Sequence, residues 1–309
     1  MRKFFLFLFF IVLIPISNIN AFYKINICKS GFVSNKNDKK DVIVRILNNN
    51  NEIISLPLEE YLVGVVSSEV PVSFEEEALK AQAVAARTYA LKQISNNEGN
   101  DYDLKTDTSS QVYKTNEELK DIWKEEYDNN IKIIKNAVDK TKGEYITYNN
   151  EVIYAFFFST SNGYTEDNKN VFGEDLPYLK QVDSSFDSEE TDNFFFEKNF
   201  SLNDFYNSLG INYSDSLTVE NIIKSDSGRV LSLKINNTEF KGRDFQKKLS
   251  LRSNDFEIHK ENNNVRIVTK GFGHGVGMSQ YGANALAKRK KSYKEILKYY
   301  YTGTSIQKL

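Results

Sequence analysis

The sequence predicts an α+β protein, a core of helices and mixed sheet with a smaller, mostly β lobe inserted into it. Three observations predict it. Apolar residues recur at helical spacing through Leu58, Leu62, Val65 and Val66, and a long alanine-rich stretch follows. β-Branched and apolar runs suited to strands fall at 41–47, 144–148, 152–158 and 264–269. Between 190 and 260 the composition shifts to Asn, Ser, Asp and Lys with only short strand-like runs such as Val230 to Ile235 after a Gly228 turn. Four pieces follow: an N-terminal signal or membrane anchor over 1–22, a tether and first strands over 23–55, a core over 56–190 plus 257–309, and an accessory lobe over 191–256.

The first piece rests on Arg2 and Lys3 ahead of an unbroken apolar run from Phe4 to Ile14. That is the charged n-region and short apolar stretch of an export signal. The run is shorter than the roughly 20 residues of a comfortable span, and Ile19 sits where a cleavage site prefers a small residue. With or without cleavage, the chain beyond about residue 22 is expected outside the membrane, anchored or secreted.

The core helices have punctuation of their own. Pro57 suits a first turn, where its missing N–H would be unpaired anyway. Pro71 disfavours helical geometry in Val70, so the first helix should end near Ser68-Glu69. Ser73 with Glu76 reads as a capping box for a second helix running past Tyr89. A helical pattern extends over 117–140, and Asn149-Asn150 marks a hairpin turn. Near the C-terminus come a Gly-rich loop over 271–277, a helix over 279–288 and an amphipathic helix over 293–301.

Composition removes several function classes. Lys+Arg 40 against Asp+Glu 42 leaves a formal charge of -2, without the strongly basic balance of a nucleic-acid partner. Cys28 is the only cysteine, so no intrachain disulfide forms. His259 and His274 are the only histidines, too few for a histidine-rich metal site, and no cofactor is expected.

Some residues invite chemistry. Glu69 falls where unpaired helix carbonyls disfavour an ionised carboxylate, and Val66, Val70 and Val72 would desolvate it. A carboxyl that keeps its proton near neutral pH is what a general acid requires, although many glutamates in connecting loops have no such role. Arg87 and Tyr89, on the second helix, suit either sugar hydroxyls and carboxylates or a structural ion pair. Ser159-Thr-Ser161-Asn-Gly-Tyr164-Thr-Glu166 is either a polar-ligand loop or an ordinary hydroxyl-rich turn. Gly271-Phe-Gly-His274-Gly-Val-Gly-Met-Ser-Gln280-Tyr-Gly282 matches neither a P-loop nor the dinucleotide fingerprint.

Together these segments resemble the stage II sporulation protein D family, with its related amidase-enhancer domains. The resemblance is carried by residues 57–71, 77–89, 159–166, Pro177-Tyr178-Leu, Leu251-Arg-Ser-Asn-Asp-Phe256 and 273–282, in that order. It implies a membrane-anchored lytic transglycosylase that cuts denuded peptidoglycan glycan strands during forespore engulfment and leaves 1,6-anhydro-N-acetylmuramic acid. The alternative is a glycan-binding amidase enhancer that does not cut. Glu69 would be the catalytic glutamate, and Arg87, Tyr89, Gln111, Ser161, Tyr164, Tyr178, His274 and Gln280 would contact substrate. Glu166 and Asp183 remain candidates for a second carboxylate. Implied partners are stage II sporulation proteins P (an amidase) and M (a membrane protein). Some relatives hold zinc in the loop before Gln111-Val-Tyr113; here that loop has neither Cys nor His, so no metal is carried over.

Overall fold

A computed structural model describes residues 41–107 and 110–309. The N-terminal apolar segment, Cys28 and most of the tether lie outside the described residues. Among those described, no helix is long and apolar enough to cross a membrane.

The elements alternate as an α+β fold. β1 (Ile43–Leu47) and β2 (Ile53–Pro57) form an antiparallel hairpin that runs straight into α1 (Leu58–Glu69), then α2 (Glu76–Asn96) and β3 (Leu104–Lys105), which pairs in parallel with β1. α3 (Asn116–Trp123) and α4 (Tyr127–Lys140) lead to β4 (Glu144–Tyr148), β5 (Glu151–Val152) and β6 (Phe157–Phe158). After the short α5 (Asn168–Val171) the chain builds β7 (Phe195–Ser201), α6 (Leu202–Leu209), β8 (Val219–Lys224), β9 (Val230–Ile235), β10 (Thr238–Lys241) and α7 (Gly242–Lys248). β11 (Phe256–Glu261), β12 (Asn264–Lys270), β13 (Met278–Ser279), α8 (Gln280–Lys288), α9 (Tyr293–Tyr300) and β14 (Ser305–Lys308) complete it.

α2 is the centre of the larger apolar cluster. It packs against α1, α4, α8, α9 and β4, and Ala81, Ala83, Ala85, Ala86 and Ala90 are all buried. Small residues around the whole helix let five neighbours approach its backbone, which a Leu-rich stripe would hold off. β14 and β5 flank β4, so the C-terminus closes this cluster beside the β4–β5 turn. β13 pairs in parallel with β6 and delivers the Gly-rich loop to the same cluster.

A second apolar cluster gathers α6, α7, β9 and the β11–β12 hairpin around Phe205, Tyr206 and Phe245. β12 lies between β11 and β7. The side chains of this cluster therefore extend to Ile267, past the residue 256 at which the sequence reading ended the lobe.

Three local expectations change. α2 has no Ser73 capping box: its N-cap is Glu75, whose N–H donates to the Asn284 side chain of α8 at 2.9 Å. The cap comes from a neighbouring helix because Pro71 and the buried Phe74 hold 71–74 in a turn. The helical stretch over 117–140 is two helices, broken at Lys124 with φ 48°, and its start is a Thr115/Glu118 capping box. The strand over 152–158 is interrupted, leaving β5 on β4 and β6 on β13.

Candidate active site

Glu69 is the last residue of α1. The helix stops there because Val70, preceding Pro71, is extended at φ −132° and ψ 149°. The side chain is half-buried and touches two segments remote in sequence. Its Oε1 accepts from the Val112 backbone N–H at 2.9 Å, and its Oε2 faces the Gln280 side-chain amide, which donates at 3.3 Å. Burial raises its pKa above the ordinary carboxylate range, while the Val112 and Gln280 hydrogen bonds and the Lys114 charge pull it partly back. The apolar surroundings foreseen in the sequence are there: Val66 and Val70 are buried, and Val72 packs on the same cluster.

Each partner of Glu69 is held by its own scaffold. A Cβ on Gly64 would sit 2.4 Å from the Tyr113 ring and 2.6 Å from the Lys114 carbonyl, so only glycine lets the 111–115 segment lie directly on α1. Tyr113 stacks on Tyr61 with centroids 5.4 Å apart, and the Tyr61 hydroxyl donates to Gln111 Oε1 at 3.2 Å. Gln111, predicted to bind substrate, is 1% exposed and donates to the Ala86 carbonyl. It anchors the segment, and its neighbour's backbone meets the acid.

Gln280 opens α8, whose N-cap Ser279 accepts from the Gly282 N–H. The Ser279 hydroxyl donates to Asp187, a fully buried carboxylate that also accepts from the Ser161 N–H at 2.7 Å and the Ser184 hydroxyl at 2.6 Å. Burial raises the Asp187 pKa against the pull of these donors. Ser161 is 0% exposed and donates to the Ser184 carbonyl, so it belongs to this scaffold and not to a ligand-facing surface.

The remaining predicted residues divide. Arg87 is entirely buried: it makes a bidentate pair with Glu59, at 2.9 and 2.6 Å, and donates to the Glu144 and Val138 carbonyls. The structural ion pair is the alternative realised. Tyr178 is buried, its hydroxyl accepting from the Tyr154 N–H, and burial pushes its pKa up to about 12. Tyr89 is half-buried against Phe156 at 6.0 Å. Tyr164 is 46% exposed and open to a ligand, but no contact joins it to Glu69. The His274 ring packs among Phe156, Phe158 and Phe172, and its Nδ1 accepts from the Val276 N–H at 3.0 Å. Burial, with Arg243 and Arg229 nearby, pushes its pKa down to about 3, so the ring is neutral and braces the loop leading to Gln280.

Neither second-carboxylate candidate joins Glu69. Glu166 is 2% exposed and accepts from Asp167 N–H, Asn170 and the hydroxyls of Ser225 and Ser227. Asp183 is exposed and accepts from the Ser185 N–H. Among the described residues no group of three or more His, Cys, Asp or Glu is placed to hold a metal ion.

Comparison with known proteins identifies the family. Residues 48–148, which include Glu69 and its Val112 donor, match the sequence model of a family described as stage II sporulation protein. The chain is 45% identical over 262 residues to stage II sporulation protein D of Bacillus amyloliquefaciens, covering 83% of this chain and 76% of that one. Against the protein of the same description from Bacillus subtilis (strain 168) the identity is 44% with the same coverage. The amidase enhancer of Bacillus subtilis (strain 168) is 30% identical over 299 residues, 79% of this chain but 40% of that one. The chain belongs to the stage II sporulation protein D family.

Proposed function

We propose that the protein is a lytic transglycosylase that cleaves the bond from N-acetylmuramic acid to N-acetylglucosamine in denuded glycan strands. It would work outside the cytoplasmic membrane during forespore engulfment, held by its N-terminal apolar segment and alongside stage II sporulation proteins P and M. One observation carries the reading: a half-buried carboxyl of raised pKa, oriented by a backbone N–H on one oxygen and an amide on the other.

The chemistry follows from that geometry. Val112 fixes Oε1, and the longer contact leaves Oε2 as the oxygen that carries a proton. An amide has both a donor and an acceptor end, so a rotated Gln280 serves the protonated acid as well as the carboxylate. Glu69 gives its proton to the glycosidic oxygen as the bond to the muramic anomeric carbon breaks. The muramic 6-hydroxyl then bonds to that carbon, and its proton returns to Glu69. The carboxyl ends as it began and no water is activated, so the step needs no second carboxylate.

The test is mass spectrometry of purified denuded strands digested by the full chain in mild detergent. Anhydro-muramic ends are expected, and Glu69→Gln should lower their rate by about 100-fold or more. Reducing muramic ends would make the protein a hydrolase. The similarity to an amidase enhancer favours a second reading, in which strands stay intact, an amidase is stimulated, and Glu69→Gln is as active as the parent.

A further inference from the structure

The Leu251–Phe256 motif has no part in the chemistry above, yet it carries an unusual arginine. The Arg252 guanidinium lies 3.9 Å from the Phe196 ring centroid and 5.4 Å from that of Phe272. Two aromatic faces fix its plane. None of its donors meets a carboxylate or carbonyl among the described residues. Every other arginine there is engaged: Arg45 with Asp103, Arg87 with Glu59, Arg229 with the Tyr164 carbonyl, Arg243 with the Val171 carbonyl, Arg266 with Glu261 and Arg289 with Glu189. Arg252 is part-exposed, and Phe272 beside it is 47% exposed.

The position ties this pair to the candidate site. Gly273 donates its N–H to the Arg252 carbonyl at 2.9 Å, and Phe272 pairs by backbone with Thr160 in the hydroxyl-rich loop. From Phe272 the chain runs through the rest of the Gly-rich loop and β13 to Gln280, whose amide touches Glu69. One continuous stretch therefore carries both features. A planar fork with free donors matches a carboxylate bidentately, and an exposed ring face receives the C–H face of a pyranose.

We propose that Arg252 and Phe272 form a subsite for a carboxylate-bearing amino sugar of the glycan. Phe272 carries the sugar ring and Arg252 takes the free lactyl carboxylate of a muramic residue. The inference rests on the glycan-cleaving reading and adds a reason for its substrate: a stem peptide turns that carboxylate into an amide, which cannot pair with the guanidinium as an anion does. Arg252 is thus a specificity residue, apart from the proton transfer.

Binding, not cleavage, tests it. The full chain carrying Glu69→Gln is titrated calorimetrically with a denuded muramic-containing tetrasaccharide, its peptide-substituted form, and chitotetraose, which has no carboxylate. The denuded probe should bind at least about tenfold tighter than chitotetraose, about 1.4 kcal/mol. Arg252→Gln should erase that preference while leaving chitotetraose affinity alone, and Arg252→Lys should restore part of it. Phe272→Ala, at an exposed ring that leaves the core intact, should weaken both probes. Equal affinity for the denuded probe in the parent and Arg252→Gln overturns the subsite, as does equal affinity of the parent for all three probes or binding of none. Tight, carboxylate-selective binding by a chain that releases no anhydro product would sink the transglycosylase and leave the subsite standing.

Discussion

Replacing Arg87 by alanine separates a structural role from a ligand-binding one. The guanidinium is 0% exposed, and the Glu59 side chain facing it is 22% exposed. The substitution removes the bidentate pair and the Arg87 donor to the Glu144 carbonyl, while the Val138 carbonyl keeps the Thr141 N–H and hydroxyl. Glu59 keeps only the Gly143 N–H, at 3.2 Å. Breaking one side of a buried pair costs about 3–5 kcal/mol. In a chain of this size each kcal/mol lowers the melting temperature by about 2–4 °C, so a fall of roughly 6–20 °C is expected. Scanning calorimetry reads it directly. Glu59→Met combined with Arg87→Met should recover most of the loss, since an apolar pair needs no compensating charge. A melting temperature within about 2 °C of the parent, with glycan affinity lost, would refute the structural role and return Arg87 to substrate binding.

The other predictions concern the acid and its surroundings. Because the folded state raises the Glu69 pKa, its ionised form weakens the fold increasingly as pH rises from the unfolded towards the folded value; Glu69→Gln should therefore melt higher than the parent at pH 7, with the gain vanishing by about pH 4. A general acid must be protonated, so kcat/KM should fall on the alkaline side through the raised Glu69 pKa. Gln280→Leu removes a hydrogen bond that favours the carboxylate and should move that limb to higher pH. His274, with its pKa pushed down to about 3, should show no ring protonation by NMR above about pH 4; its neutral form stabilises the fold fully above the unfolded value of about 6.5, and that contribution is lost as pH falls. Gly282→Ala would put a Cβ 2.1 Å from the Tyr300 hydroxyl and 2.5 Å from Asp187 Oδ1, so a melting temperature unchanged from the parent would contradict the tight packing of α8.

Much of this was legible before any coordinates. Periodicity and proline placement located α1 and its end near Ser68-Glu69, and the local valines gave the direction of the Glu69 shift. The predicted site residues that the structure buries share a physical cause. Arg87, Gln111, Ser161 and Tyr178 are polar side chains within recognisable motifs, and a motif does not reveal whether a side chain faces a cleft or ties two segments together. Burial decides that, and it depends on contacts such as Arg87 to Glu59 that no local pattern encodes. The Val112 donor was invisible for another reason: a backbone N–H leaves no mark in residue identity. The free guanidinium of Arg252 stands out only because every other arginine among the described residues meets an acceptor.

The two groups that flank Glu69 come from 43 and 211 positions further along the chain. Pairings so distant in sequence require large loops to close before they form. A polypeptide still being synthesised, or broken before α8, has the glutamate but not the amide that faces it. The polar setting of this carboxyl is thereby completed only once the chain has been made as far as α8.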